Sequence, residues 1–247
     1  MKTLTVTYRK KAFEASLPET WNEMTKEQFL AAVEIWNGGI DKDRFLCLMF
    51  SLPKNIVLLM DDFLKFTLLE QTEWMRKLDK PCSRFFVETL PGSHYTSPGM
   101  RLQGVTLEQF MLADNYFQRY AIKPENEEHL SVFIAALYHA PMEEEDGMPE
   151  KVEFCGRLDK TIRIAIFFNF ILVRKWLSLA YPFLFPSEED SDETEERNRN
   201  PKPTDWLSVF DAFLGDDVAF IDSYKQMLAL DAFRLMNRRI KNSKLKK

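Results

Sequence analysis

Met24-Thr25-Lys26-Glu27-Gln28-Phe29 recurs later in the chain as Val105-Thr106-Leu107-Glu108-Gln109-Phe110. In each copy Thr suits the N-cap of a helix, and Gln three residues on can return the hydrogen bond, which makes a capping box. Met24 with Phe29, and Val105 with Phe110, occupy the flanking positions of a hydrophobic staple. Upstream of each lies a second match, Phe13-Glu14-Ala15-Ser16-Leu17-Pro18 and Phe86-Val87-Glu88-Thr89-Leu90-Pro91, with the longer connection in the second copy. The chain therefore reads as an extended segment, a turn and a stapled helix, used twice. Capping boxes are a general answer to unsatisfied helix donors, so duplication and independent origin both account for the match. Either way these helices are structural.

Period-2 alternation of Leu4, Val6 and Tyr8, and again of Phe13, Ala15 and Leu17, predicts an N-terminal β-hairpin turning through Arg9-Lys10-Lys11. The first stapled helix should bury Phe29, Ala32, Val33 and Trp36 and end at Gly38-Gly39. Asp41 can cap a second helix that closes before Pro53. From Asn55 to Leu78 the pattern is helical, with Leu59, Phe63, Phe66, Leu69 and Trp74 expected inward. Lys80 to Gly104 reads as a short β element around Phe86 plus an irregular excursion. The second stapled helix should bury Phe110, Ala113, Phe117 and Tyr120, and a helix from about Glu125 should bury Leu130, Phe133, Ile134 and Leu137. Met142 to Pro149 reads as an acidic loop, and the most buried helix is expected from about Leu158 to Leu179.

The fold class expected is mainly α: a helical body over 1–186 with an N-terminal hairpin, then a disordered acidic linker over 187–204. A C-terminal helical segment over 205–247 ends in a basic tail. The linker assignment rests on composition. Ser187 to Thr204 has no aliphatic or aromatic residue, and seven acids fall between Glu188 and Glu196. Such a stretch buries too little surface to offset its ordering entropy. From Arg234 onward the tail carries seven Lys or Arg and no acid. The two helices of the C-terminal segment are too small for a core of their own and should dock on the body or on a partner.

Composition narrows the classes. The 247 residues are 45% hydrophobic and 13% aromatic, enough for a substantial core, with only eight glycines. A net charge of −5 supplies no global field for nucleic acid. Ile164 to Val173 is uncharged and very apolar, but about ten residues is half of what spans a bilayer, so a buried helix is expected and no membrane span. No signal peptide is expected at the N-terminus. Cys47, Cys82 and Cys155 form no CxxC pair, which points to a reducing cytoplasm.

The search for chemistry returns structural readings. His94, His129 and His139 lack the spacing of a helical metal pair, and no phosphate-binding glycine loop or nucleophile elbow is present. Cys47 fits a small buried side chain better than a nucleophile. Glu144, Asp146, Gly147 and Glu153 fall at calcium-loop positions, but the first ligand would be Met142, which a hard cation rejects. Asp61-Asp62 and Asp216-Asp217 suit helix starts. No catalytic residue, metal site or cofactor is expected, and the protein reads as a non-enzyme. Trp206, Phe210, Phe213 and Tyr224 are the residues expected to meet a protein partner. The alternative is a nucleic-acid accessory role through Arg238, Arg239, Lys241 and Lys244, although the tail has no aromatic platform for bases.

One resemblance adds to this reading. Leu17-Pro18-x-x-Trp21-x-x-Met24-Thr25-x-x-Gln28 is followed by Leu112-Ala113-Asp114-Asn115-Tyr116-Phe117 and by Leu130-Ser131-Val132-Phe133-Ile134-Ala135-Ala136-Leu137-Tyr138. A charged linker and a helical segment then follow. The layout resembles helical proteins of unknown function encoded among the tail and virion-assembly genes of tailed bacteriophages and prophages, some similar to tail-assembly chaperones. The resemblance implies phage structural proteins as partners, with self-association as a further option. It also implies a place in the host cytoplasm or the virion. It transfers no catalytic or binding residue.

Overall fold

Both Thr residues open their helices as the boxes require. In the computed structural model, which describes residues 1–8, 11–78, 80–140, 147–186, 204–215 and 220–244, α1 spans Lys26–Trp36 and α5 spans Leu107–Ile122. Gln28 N–H donates to Thr25 Oγ1 (3.2 Å) and Gln28 Oε1 accepts from Thr25 N–H (3.0 Å). Gln109 and Thr106 repeat the pair at the same two distances. Met24, Phe29, Val105 and Phe110 are all buried, as stapling predicts. Gln28 also reaches across to the Met49 carbonyl (3.0 Å), so the cap joins α1 to the next helix.

The protein is mainly helical, with an N-terminal antiparallel hairpin in which β1 (Lys2–Tyr8) pairs with β2 (Lys11–Leu17). Gly38, at φ 70°, ends α1 in the left-handed conformation that a side chain disfavours. Asp41 caps α2 (Lys42–Phe50). The region from Asn55 to Leu78 departs from expectation. It breaks into α3 (Lys54–Leu59) and α4 (Asp62–Glu70), because Asp61 accepts Leu64 N–H (2.8 Å) as a new N-cap. A cap needs extended φ and ψ, so the helical phase is lost at Met60–Asp61. Ile56, Val57, Met60 and Leu68 turn inward instead. Leu59, Phe63 and Phe66 face out, the last two at 80% and 60% exposure, while Leu69 and Trp74 are half-buried. Trp36 likewise sits at the surface end of α1.

The second segment read as extended is the pivot of the fold. Near Phe86 there is no ladder strand, only isolated bridges from Thr89 to Thr96 and from Thr96 to His139. The chain from Cys82 to Val87 is irregular, bending at Arg84 and Phe86, and its side chains divide between two cores. Phe85 and Val87 join one, Cys82 and Phe86 the other. Helix α8 (Lys160–Ala180), expected to be the most buried, buries eight of its 21 residues, a smaller share than the seven of 11 in the helix over Glu127–Leu137, and it divides the same way. Ala165 and Leu172 face the core built by 6–86, whereas Ile166, Phe170, Val173 and Leu177 face the core built by 85–185 and 206–236. Asn169 lies on the first stripe, between Ala165 and Leu172, and is buried. Its Oδ1 accepts Phe86 N–H (2.9 Å) and its Nδ2 donates to the Arg84 carbonyl (2.9 Å). Phe86 then stacks on Phe29, with centroids 4.1 Å apart.

Helix α6 (Glu127–Leu137) buries its expected stripe. A helix not read from the sequence, α7 (Met148–Arg157), starts at Gly147 with Pro149 in its first turn, where a missing donor costs nothing. The C-terminal segment holds α9 (Trp206–Leu214), α10 (Ile221–Lys225) and α11 (Ala229–Lys244). The segment holds three helices where two were expected, because the chain is interrupted near Leu228, which bridges Thr106. Among the described residues no helix is long and apolar enough to cross a membrane. Apart from Thr204, the expected linker lies outside the described residues.

Two variants rank these devices. Thr25→Ala or Thr106→Ala should cost about 0.5–2 kcal/mol in equilibrium unfolding, the range for an N-cap. Asn169→Ala strands the buried Phe86 N–H, at about 1–3 kcal/mol, and also removes the amide's bond to the part-buried Arg84 carbonyl, so it should cost more than either cap. An Asn169→Ala protein as stable as the parent would contradict this packing.

Candidate functional site

The C-terminal segment meets the body at a buried carboxylate. Asp114, on the inner side of α5, is fully buried. Its Oδ2 accepts the indole N–H of Trp206 (2.8 Å) and the side-chain amide of Gln118, and Arg174 from α8 pairs with its Oδ1. Gln118 in turn accepts Thr204 N–H (2.6 Å) through its own side-chain oxygen. A buried carboxylate is tolerated only when paired and hydrogen-bonded, and here every partner but Gln118 comes from a distant part of the chain. The Trp206 ring meets Phe110 edge-on (5.4 Å) and lies near Phe185 (5.7 Å) and Phe233 (6.3 Å). Val105 and Leu107, flanking Thr106, are tied to the segment as well. The Val105 carbonyl accepts Ala229 N–H, and Leu107 N–H donates to Met227, both at 2.8 Å.

Of the residues expected to meet a partner, Trp206, Phe210 and Phe213 are buried against the body. Tyr224 is half-buried with its ring edge-on to Phe213 at 5.2 Å. Each fully buried large apolar side chain contributes about 1.5–3 kcal/mol, so Trp206, Phe210, Phe213, Phe233 and Met236 together favour docking by roughly 8–15 kcal/mol before entropy. These side chains would meet another protein only from an undocked segment. On α11, Arg238 and Lys241 are exposed, and Lys241 lies 5.9 Å from the Phe183 ring. Arg239 bends back to the Phe213 carbonyl and lies near the Phe213 ring. Lys244 ends α11. Sequence reasoning gave Asp114 and Arg174 no role, because their partners are far along the chain.

The titratable groups are built into the framework. His129, in the first turn of α6, packs edge-on to Tyr116 and contacts Asn126. His139 pairs by its backbone with Thr96, and His94 lies against Tyr95. Asp61 caps α4 as expected, and Asp216-Asp217 lie outside the described residues. Most of the acidic loop is also outside them, while Glu153 pairs with Arg157 on α7. Among the described residues no group of three or more His, Cys, Asp or Glu could hold a metal ion. Burial pushes the Cys155 thiol up to about 12, partly opposed by Lys151 and Arg163, and burial raises Cys82 too. Cys47 is half-buried rather than buried, and is raised by desolvation first and by Asp43 second. Raised values keep all three thiols protonated near neutral pH, which makes them poor nucleophiles.

Among the described residues, two apolar regions are candidates for contact with a partner. One is the outer face of α4, where Phe63 and Phe66 are exposed, as are Leu58 and Leu59 on α3. The other is a groove of about 470 Å³ between α9 and α11. Comparison with protein-family models, with curated proteins and with solved structures finds no match.

Thiol labelling checks the burial described above. At pH 8 the native chain should modify slowly at Cys47 alone, and at all three cysteines once unfolded. Rapid native labelling of Cys82 or Cys155 would contradict it.

Proposed function

We propose that this chain is a non-enzymatic protein–protein interaction protein that acts in phage or prophage tail or virion assembly, in the host cytoplasm or on the particle. The observation that carries the interaction reading is the α4 face, where Phe63 and Phe66 are exposed, as are Leu58 and Leu59 on α3. Exposed apolar side chains in number mark interaction surfaces, and aromatic rings supply much of the energy at such contacts. The assembly process itself is supported by the sequence layout alone. Trp206, Phe210, Phe213 and Tyr224 belong to this reading as residues that a partner meets if it displaces the C-terminal segment. The alternative is an accessory protein that holds nucleic acid by the basic end of α11, and the exposure of Arg238 and Lys241 favours it.

The full-length chain, immobilised and presented with co-expressed products of the neighbouring genes, should retain identified tail or capsid proteins. Phe63→Ser/Phe66→Ser, which alters only exposed side chains, should lower that retention at least tenfold. Equal retention by the variant would place the partner surface elsewhere. Retention of no virion protein would remove the assembly reading.

A further inference from the structure

The N-terminal hairpin leaves one strand edge open. β2 packs against α2, whereas β1 has β2 as its principal neighbour. Seven consecutive residue pairs, from Lys2 with Leu17 to Tyr8 with Lys11, run in antiparallel register with no bulge. In such a ladder alternate residues turn their backbone N–H and C=O groups towards the neighbouring strand, and the others turn theirs away. Among the described residues no other backbone group bonds to β1. One side of β1 is therefore a row of donors and acceptors that β2 does not use, along a strand of about 24 Å.

Edges kept from pairing with other chains carry charges, prolines or bulges. β2 carries Lys11 and Glu14, but β1 has none of these guards from Thr3 to Tyr8. It reads Thr-Leu-Thr-Val-Thr-Tyr, six residues of strong β propensity. The same row of groups decides the occupant. An extended peptide from another protein gains specificity from pockets for its alternate side chains along the edge. Neither the groove between α9 and α11 nor the clefts beside Trp36 take a lining residue from the hairpin. What β1 offers is backbone, and the strand that suits it is uncharged, equally long and alternates in the same way. β1 is itself such a strand. Antiparallel pairing about a two-fold axis at Thr5 sets Thr3 opposite Thr7, Leu4 opposite Val6 and Lys2 opposite Tyr8 of the other copy. No charged residues of the two strands oppose each other in that register, and Leu4, half-buried in a single copy, gains cover.

We propose that β1 pairs antiparallel with β1 of a second copy across a two-fold axis, joining the two hairpins into one sheet in the order β2-β1-β1-β2. A contact of this kind is isologous, so association stops at the dimer. A two-stranded hairpin gains stability from added strands, so the dimer also firms the N-terminal part of each copy. The proposal goes beyond the interaction reading above, leaves the α4 face free and requires no phage partner.

The test uses full-length protein alone, by sedimentation velocity up to about 200 μM, since one strand pair is a small interface and binds weakly. The wild type should pass from monomer to dimer and no further, and hydrogen exchange of the β1 amides should slow as concentration rises. Thr5 is exposed and faces Glu14 across its own hairpin. Charges are therefore placed at position 5 on a Glu14→Gln background, which itself should dimerise as the wild type does. Thr5→Lys and Thr5→Glu on that background should each stay monomeric, because like charges meet on the axis. Mixed together they should form a one-to-one heterodimer. Circular dichroism confirms that the variants remain folded. A wild type that stays monomeric overturns the proposal, and so does growth past a dimer. Dimerisation of either charged variant at wild-type strength overturns it too, as does failure of the mixture to pair. Phe63→Ser/Phe66→Ser should dimerise unchanged, and its loss of the dimer would place the contact on α4 instead. A monomeric wild type that still retains virion proteins would sink this proposal and leave the function proposed above standing.

Discussion

The fold depends on one buried amide. Asn169 stands in the middle of the longest helix, in a run otherwise fit for hydrocarbon, and spends both ends of its side chain on the backbone of the segment from Arg84 to Phe86. That segment belongs to no ladder, so its polar groups need partners from elsewhere, and an unpaired one is expensive in a core. With the amide in place, the bent segment is held on α8 and its side chains divide between two cores. Tyr138 adds a second tie, its hydroxyl donating to the Val87 carbonyl at 2.7 Å, and burial pushes that hydroxyl well above its usual pKa. Arg163 adds a third at the N-terminal end of α8, reaching the Glu127 carbonyl and the Ser131 hydroxyl of α6. Polar groups placed in this way select one register of α8 against its neighbours, where apolar packing alone tolerates several.

A similar device closes the other end of the molecule. Asp114 draws Arg174, Gln118 and Trp206 together, and the aromatic cluster of Phe110, Phe185 and Phe233 seals it. The stapled start of α5 therefore has two duties. It caps its own helix, and its edge carries the backbone of the C-terminal segment at Ala229. The first copy, at α1, has no such addition, and its Phe29 packs on Phe86 instead. Among the described residues, the docked segment keeps a groove between α9 and α11 and leaves Leu207, Phe220, Leu228 and Leu235 exposed.

The grammar of short range was legible. Thr-x-x-Gln with its flanking apolar pair located both stapled helices, and the apolar stripes of α5 and α6 were read residue by residue. The hairpin followed from period-2 alternation. The α4 region failed because a single aspartate, Asp61, caps a new helix and resets the phase. A stripe read through it assigned Phe63 and Phe66 to the core when they stand in water. Helix α7 was missed because its acidic and basic residues hide a short amphipathic stripe. Long-range roles were not legible at all. Asn169 lies unmarked within an apolar run and Asp114 within a short motif, and the groups they serve lie 83 to 85 residues and 60 to 92 residues away. No local pattern encodes such a distance, which is also why buried Trp206 read as a partner residue.

The central claim is that α8 and the segment it holds make the two cores one cooperative unit. Native-state hydrogen exchange tests this most directly, because it reads the opening free energy of each amide separately. The account predicts that the amide of Phe86, the inner amides of α1 and those of α6 and α8 all exchange with one shared opening free energy, equal to that of global unfolding. Inner amides of α1 that open at a distinctly lower free energy than those of α6 and α8, with Phe86 following them, would show two independent domains and contradict it.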